Sequence, residues 1–353
     1  MKIIISNENK NAHYYIRMGF AKALSACGHE VLLWDLNEKS VFDAFDEHPD
    51  MNVLVTQTYN VNKAMYKCLK ERPWIKVTMK GSDWGIAQEN MDLNRYPILV
   101  ANPREIETIL KLHDETGKPD FIDIHYHQSS VEQTHSKWIE KGIKCVGLMS
   151  GADISDYHGG KIKEELKCDI GYIGGYWPYK SHTLNSYLIP LCQPQYNYRI
   201  KIFGNQSWGV PQYCGMLPTE EAKNLFVSAS ICPNISEPHS QVYGHDIVER
   251  PFKLLSAGAF MITDYVKSMQ DNVFGDNVVY ANSPEDFKEK IDFYLKNPEK
   301  RLDYISRGYN HVMNNHTYFH RAIQFFNELG LSYEAEKVKQ VYTKIQQDIK
   351  CKS

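Results

Sequence analysis

Between Lys2 and Trp34 the chain reads apolar strand, polar loop, helix, glycine, apolar strand, and that order leaves few folds open. Lys2 to Ser6 is a continuous apolar run, and Ile16, Phe20, Ala23 and Leu24 recur at helical spacing within His13 to Cys27. Gly28 ends the helix, and His29 to Trp34 forms the next strand. Strands joined through a helix in this way lie parallel with a right-handed crossover, which predicts a doubly wound α/β sheet. The loop from Asn7 to Ala12 falls at the carboxyl end of the first strand, where open parallel sheets take ligands. It lacks the G-x-G-x-x-G spacing, which disfavours a dinucleotide there.

The alternation continues. Strands are predicted at Val53–Thr56, Ile75–Met79, Pro97–Ala101, Phe121–His125 and Cys145–Leu148, with helices at Val61–Leu69, Arg104–His113 and Ser130–Lys141. Ser150 to Gly160 breaks the pattern with three glycines and two acids, and the crossing between domains is placed there. A second α/β half follows, with strands at Ile170–Gly174, Tyr198–Phe203, Ile231–Asn234 and Val278–Ala281. Its helices are predicted at Ser181–Cys192, Leu217–Ser228 and, capped by Ser283, at Phe287–Lys296. Two more follow, from Pro298 to Val312 and in one piece from Phe319 to about Lys350. At 353 residues the chain can bury two cores, and the expected division is 1–155, 156–325 and a helical tail at 326–353.

The formal charge of −3 gives no basic field, so duplex nucleic acid is not an expected partner. A local cationic pocket for a small anion remains compatible with it. Eight cysteines without a C-x-x-C pair fit a reduced, cytoplasmic protein, and no metal site is expected. No apolar stretch approaches the length of a membrane span; a peripheral membrane contact stays open.

The stretch His245 to Tyr265, HDIVERPFKLLSAGAFMITDY, carries the densest signal. Ile247, Val248, Phe252, Leu254, Leu255 and Ala257 predict a helix with a wide buried face, capped by Asp246 or His245 and ended by Gly258. On that reading the backbone N–H groups of Ile247, Val248 and Glu249 are free to receive a phosphate. HYH at His125 to His127 has two imidazoles but no third metal ligand nearby.

The run from Ile170 to Arg321 resembles the CgeB-like glycosyltransferases within the group-1 transferases of GT-B fold. The resemblance rests on GYIGGY before Lys180, YRIKIFG ending at Gly204, ICPNIS, RPFKLLSAGAFMITDY, the VFGDNVVY and SPEDFKEKIDFYL pair, and HVMNNHTYFHR. It implies two Rossmann-like domains facing one another across a cleft, the first holding the acceptor and the second the donor. The donor would be a nucleoside-diphosphate sugar, UDP-linked before GDP-linked, with no permanently bound cofactor and no metal. The acceptor would be a glycan, a lipid-linked glycan or a glycoprotein.

The resemblance also assigns residues. Gly174 and Gly175 would allow close approach to the nucleotide, Lys180 would meet the diphosphate, and Gly204 would end the strand facing the base. Ile247 and Val248 would offer backbone N–H groups to the phosphates, with Arg250 as a second cation. Many group-1 transferases carry two glutamates, the first touching the donor sugar and the second the ribose, where this chain has His245, a catalytic candidate by that position, and Lys253. Either Glu249 then takes over the ribose, or Lys253 meets phosphate instead. On the acceptor side His125 or Asp83 is the expected base. The alternatives are a nucleotide-sugar epimerase and a catalytically silent scaffold or carbohydrate-binding protein of the same fold.

Overall fold

The structure, a computed structural model, describes residues 1–7, 12–57, 63–80, 107, 109–111, 114–115, 123–124 and 130–352. It divides the chain into two compact units, Met1–Met149 with Tyr318–Ser353, and Ser150–Thr317.

In the first unit strands β1 (Lys2–Asn7), β2 (Glu30–Asp35), β3 (Val53–Gln57), β4 (Lys76–Lys80), β5 (Asp123–Ile124) and β6 (Cys145–Val146) form one parallel sheet in the order β2-β1-β3-β4-β5-β6. Ile3, Ile4 and Ile5 are fully buried, as a two-sided parallel sheet requires of its central strand. Helices Ala12–Ala26 and Lys63–Glu71 occupy their expected places. A further helix, Val41–Glu47, is started by a capping box in which Ser40 and Asp43 exchange side chain-to-backbone hydrogen bonds. The helix expected over Ser130–Lys141 is broken at His135 into Val131–Thr134 and Ser136–Ile139. The strand expected at Pro97–Ala101 lies outside the described residues, as does most of the helix expected at Arg104–His113.

The C-terminal segment departs from the expected division. Its single helix is two, Tyr318–Glu328 and Ser332–Lys352, because Gly330 takes φ +72°, a left-handed conformation that ends a helix. Tyr318 onward returns to the first unit, where the Phe20 ring meets Phe325 edge-on at 5.3 Å. The apolar face of Tyr318–Glu328 needs a partner, and the helix Ala12–Ala26 provides it.

His29, only 5% exposed, packs in this unit against Phe326, with Nε2 3.5 Å from a Glu334 carboxylate oxygen. Burial pushes the imidazole down from 6.5 to about 4, more than Glu334 raises it. The unfolded chain therefore binds the extra proton between those values. Stability from this group is complete above pH 6.5 and falls by about 3 kcal/mol as the pH drops toward 4. Urea midpoints over that range should fall less in His29→Leu than in the wild type; equal slopes would refute the assignment.

In the second unit β7 (Cys168–Ile173), β8 (Ile200–Phe203), β9 (Ala229–Asn234), β10 (Met261–Asp264) and β11 (Val279–Ala281) form a parallel sheet in the order β11-β10-β9-β7-β8. The chain runs from β7 outward to β8, then crosses back to β9 on the other side. The topological switch point, where doubly wound sheets open a crevice, is thus between the carboxyl ends of β7 and β9. Ser283 caps the helix Pro284–Lys296 through its hydroxyl, as expected.

Candidate functional site

The carboxyl ends of β7 and β8 bring Gly174, Gly204 and Arg250 of the expected donor residues together. Gly174 follows β7 directly, and a Cβ there would stand 2.6 Å from Arg250 Nη2 and 2.8 Å from the Tyr172 ring. The missing side chain makes room for the arginine. Arg250 donates through Nη1 to the Tyr172 hydroxyl at 2.7 Å and through Nη2 to the Ile173 carbonyl at 2.9 Å, with its guanidinium 4.3 Å above the Tyr172 ring. Gly204, at the end of β8, faces the Gly174 carbonyl, which accepts from Trp208 Nε1 at 3.2 Å. Gly175 lies beside the Trp177 ring.

Lys180 is 5% exposed, and its Nζ lies 3.1 Å from Glu237 Oε1. Glu237 follows β9, on the other side of the switch point, and sequence reasoning missed it. Among the described residues its second oxygen, Oε2, is buried without a hydrogen-bond partner. A buried carboxylate oxygen without a partner calls for an explanation. The sequence signal was Glu237-Pro238 directly after a strand, with the proline opening the helix Pro238–Tyr243.

Behind this edge lies a polar network that the sequence reading did not assemble. His239 joins Asp246 (Nε2 to Oδ2, 3.2 Å) to the Tyr179 hydroxyl (Nδ1, 3.2 Å), and Ser240 donates to the same Asp246 oxygen at 2.6 Å. The Asp264 carboxylate accepts from the Ser236 backbone and hydroxyl, each at 3.0 Å, and from Gln241 at 2.7 Å. Burial still pushes its pKa up despite those donors.

The helix in the central stretch begins at Arg250, with Glu249 as its N-cap, and runs to Ala257. Ile247 and Val248 therefore precede it, which corrects the expectation that they open its first turn. Pro251 is the cause: in a helix begun near Ile247 its ring would clash with the carbonyl four residues back. Lys253 Nζ forms an ion pair with Glu249 and lies 4.8 Å from the centre of the Tyr157 ring. Burial lowers the Lys253 pKa, but Glu249 and Tyr157 outweigh it and the net shift is upward. Lys253 thus faces a carboxylate and a phenol, the arrangement of a tethered cation. His245 is half-buried, with Nδ1 2.9 Å from the Ser268 hydroxyl, and burial then Lys267 lower its pKa. Asp83, His125 and His127 lie outside the described residues. Among the described residues no group of His, Cys, Asp and Glu could hold a metal ion, and no helix is long and apolar enough to cross a membrane.

Residues 187–327 match the family model described as glycosyl transferase-like. Three solved structures show the same fold over almost the whole chain. The β-glucosyltransferase of phage T4 in complex with UDP-glucose is 13% identical, with 97% of this chain and 99% of that one covered at TM-score 0.55. Sucrose-phosphate synthase of Thermosynechococcus elongatus is 11% identical, at 99% and 100% coverage and TM-score 0.58. HepE of Anabaena in complex with UDP is 11% identical, at 94% and 100% and TM-score 0.57. No curated protein sequence matches the chain. The fold is that of the GT-B glycosyltransferases. Within that fold, residues 187–327 are similar to glycosyl transferases.

Proposed function

We propose that this protein transfers a sugar from a UDP-sugar to a glycan, lipid-linked or glycoprotein acceptor, in the cytoplasm and without a metal ion, as a CgeB-like member of the group-1 transferases. The observation that carries the reading is the crevice between β7 and β9. A glycine pair and an arginine stand at the carboxyl end of β7, and a buried lysine is paired with the glutamate that follows β9, whose second oxygen has no partner among the described residues. Solved proteins of the same fold hold UDP-glucose and UDP, which favours uridine over guanosine.

Each residue takes a role from its surroundings. Gly174, Gly175 and Gly204 keep backbone close to the nucleotide. Arg250 and Lys180 balance the diphosphate as it leaves. The open Glu237 oxygen accepts a hydroxyl of the transferred sugar. Glu249, oriented by Lys253, accepts the ribose. His245 orders the turn ahead of the helix through Ser268. His125 or Asp83 deprotonates the acceptor.

The test is nucleotide binding to the folded protein, read first as thermal stabilisation by UDP, GDP, CDP, ADP and dTDP and their sugars. The T4 enzyme is also known in complex with UDP and Mn2+, so each melt is run with EDTA and with Mn2+. UDP is expected to raise Tm most, equally under both conditions. Stabilisation by UDP only with Mn2+ would refute metal independence.

A further inference from the structure

In the first unit the strand order β2-β1-β3 puts the switch point between the carboxyl ends of β1 and β3. The Ser6 hydroxyl donates to Thr56 across that pair at 3.2 Å. Beside it, Arg17 rises from the helix Ala12–Ala26 and donates through Nη1 to Asn7 Oδ1 at 3.0 Å, at the last residue of β1. Arg17 is 3% exposed, yet among the described residues no carboxylate pairs with it. Asp35, beside Asn7 in the β-ladder, accepts instead from the backbone and side chain of Asn37, at 2.9 and 2.8 Å. Among the described residues the guanidinium thus faces one neutral amide, which compensates a desolvated charge less than a carboxylate would. The planar fork of an arginine matches a phosphate or carboxylate in two parallel hydrogen bonds.

We propose that Arg17 and Asn7 form an oxyanion pocket at the carboxyl edge of β1 that takes a phosphate or carboxylate group of the sugar acceptor. The pocket rests on Arg17 alone; its assignment to the acceptor rests on the glycosyl-transfer reading. The class of acceptor is then anionic, a glycosyl phosphate or a uronic acid, and a neutral sugar gains nothing from the site.

Thermal melting with inorganic phosphate, glucuronate, glucose 1-phosphate and neutral glucose tests it, each with and without saturating UDP. Wild type should gain about 3 °C from at least one anion at several times its dissociation constant and nothing from glucose. Phosphate and glucuronate separate the two sources of the charge. Arg17→Gln should lose the gain. Asn7→Asp supplies the guanidinium with an internal carboxylate, so it should fold at least as well as wild type and also lose the gain. The UDP shift should persist in both variants. No anion gain in wild type, or a gain retained in Asn7→Asp, overturns the pocket. Loss of the UDP shift in wild type with the anion gain intact overturns the donor reading and leaves the pocket standing.

Discussion

Lys253→Met is expected to destabilise the second unit by about 3–5 kcal/mol, the usual cost of removing one partner from a buried ion pair. The side chains of Lys253 and Glu249 are 15% and 8% exposed, so the remaining carboxylate has little water to turn to. A folded unit of this size should lose roughly 10 °C in Tm. The lysine's pKa is raised, so its contribution is complete below the unfolded value and is lost only as pH rises through the folded one. At neutral pH the full effect is present. The double variant Lys253→Met with Glu249→Gln should recover most of the loss, because it removes both charges together. A cost below about 1 kcal/mol for Lys253→Met would instead mark the pair as surface-like.

Gly204→Ala should cost about 2–3 kcal/mol and weaken UDP binding more than tenfold. A Cβ at Gly204 would come 2.2 Å from the Gly174 carbonyl oxygen, a contact of backbone with backbone. Neither side can withdraw freely: Gly174 N donates to Phe203 O at 2.9 Å, and Gly204 N donates to Gly215 O at 3.0 Å. Relief requires the β7 and β8 loops to part, and those loops carry the proposed diphosphate site. Urea unfolding and a UDP titration read the two effects separately. Asn205→Ala, at the exposed neighbour, should stay within about 0.5 kcal/mol of wild type. Equal stability of Gly204→Ala and wild type would show that the two loops do not need this contact.

The alternation of strand and helix was legible because each carries its own period: β1, β3 and β9 fall within a residue or two of their predicted places, and Ser283's helix starts three residues early. What failed was local punctuation read too lightly. Ser40 and Asp43 stand at the spacing of a capping box and start a helix that the apolar pattern around Val41 did not announce. Gly330 divides what reads as one long amphipathic run. Pro251 moves the start of the central helix to Arg250 and with it the free N–H groups.

The site divides along the same line. Gly174, Lys180, Gly204 and Arg250 could be singled out as candidates because they sit next to recognisable strands and a helix. Glu237 could not, because its importance comes from the order β9-β7, and strand order is a long-range property that no local spacing encodes. The Tyr179–His239–Asp246 chain was hidden for the same reason: Tyr179 and His239 are sixty residues apart. Arg17 read as an ordinary polar residue of an amphipathic helix, and only its burial beside Asn7 sets it apart.

The central claim is that the β7–β9 crevice binds a uridine diphosphate, and calorimetric titration of UDP in EDTA against wild type and Arg250→Met tests it most directly. Arg250 makes two charge-assisted hydrogen bonds at that edge and is the cation nearest Gly174. Saturable binding at one site in wild type, weakened about tenfold to a hundredfold in Arg250→Met, is the predicted result. No binding heat from folded wild-type protein, or equal affinity in the two, would contradict it.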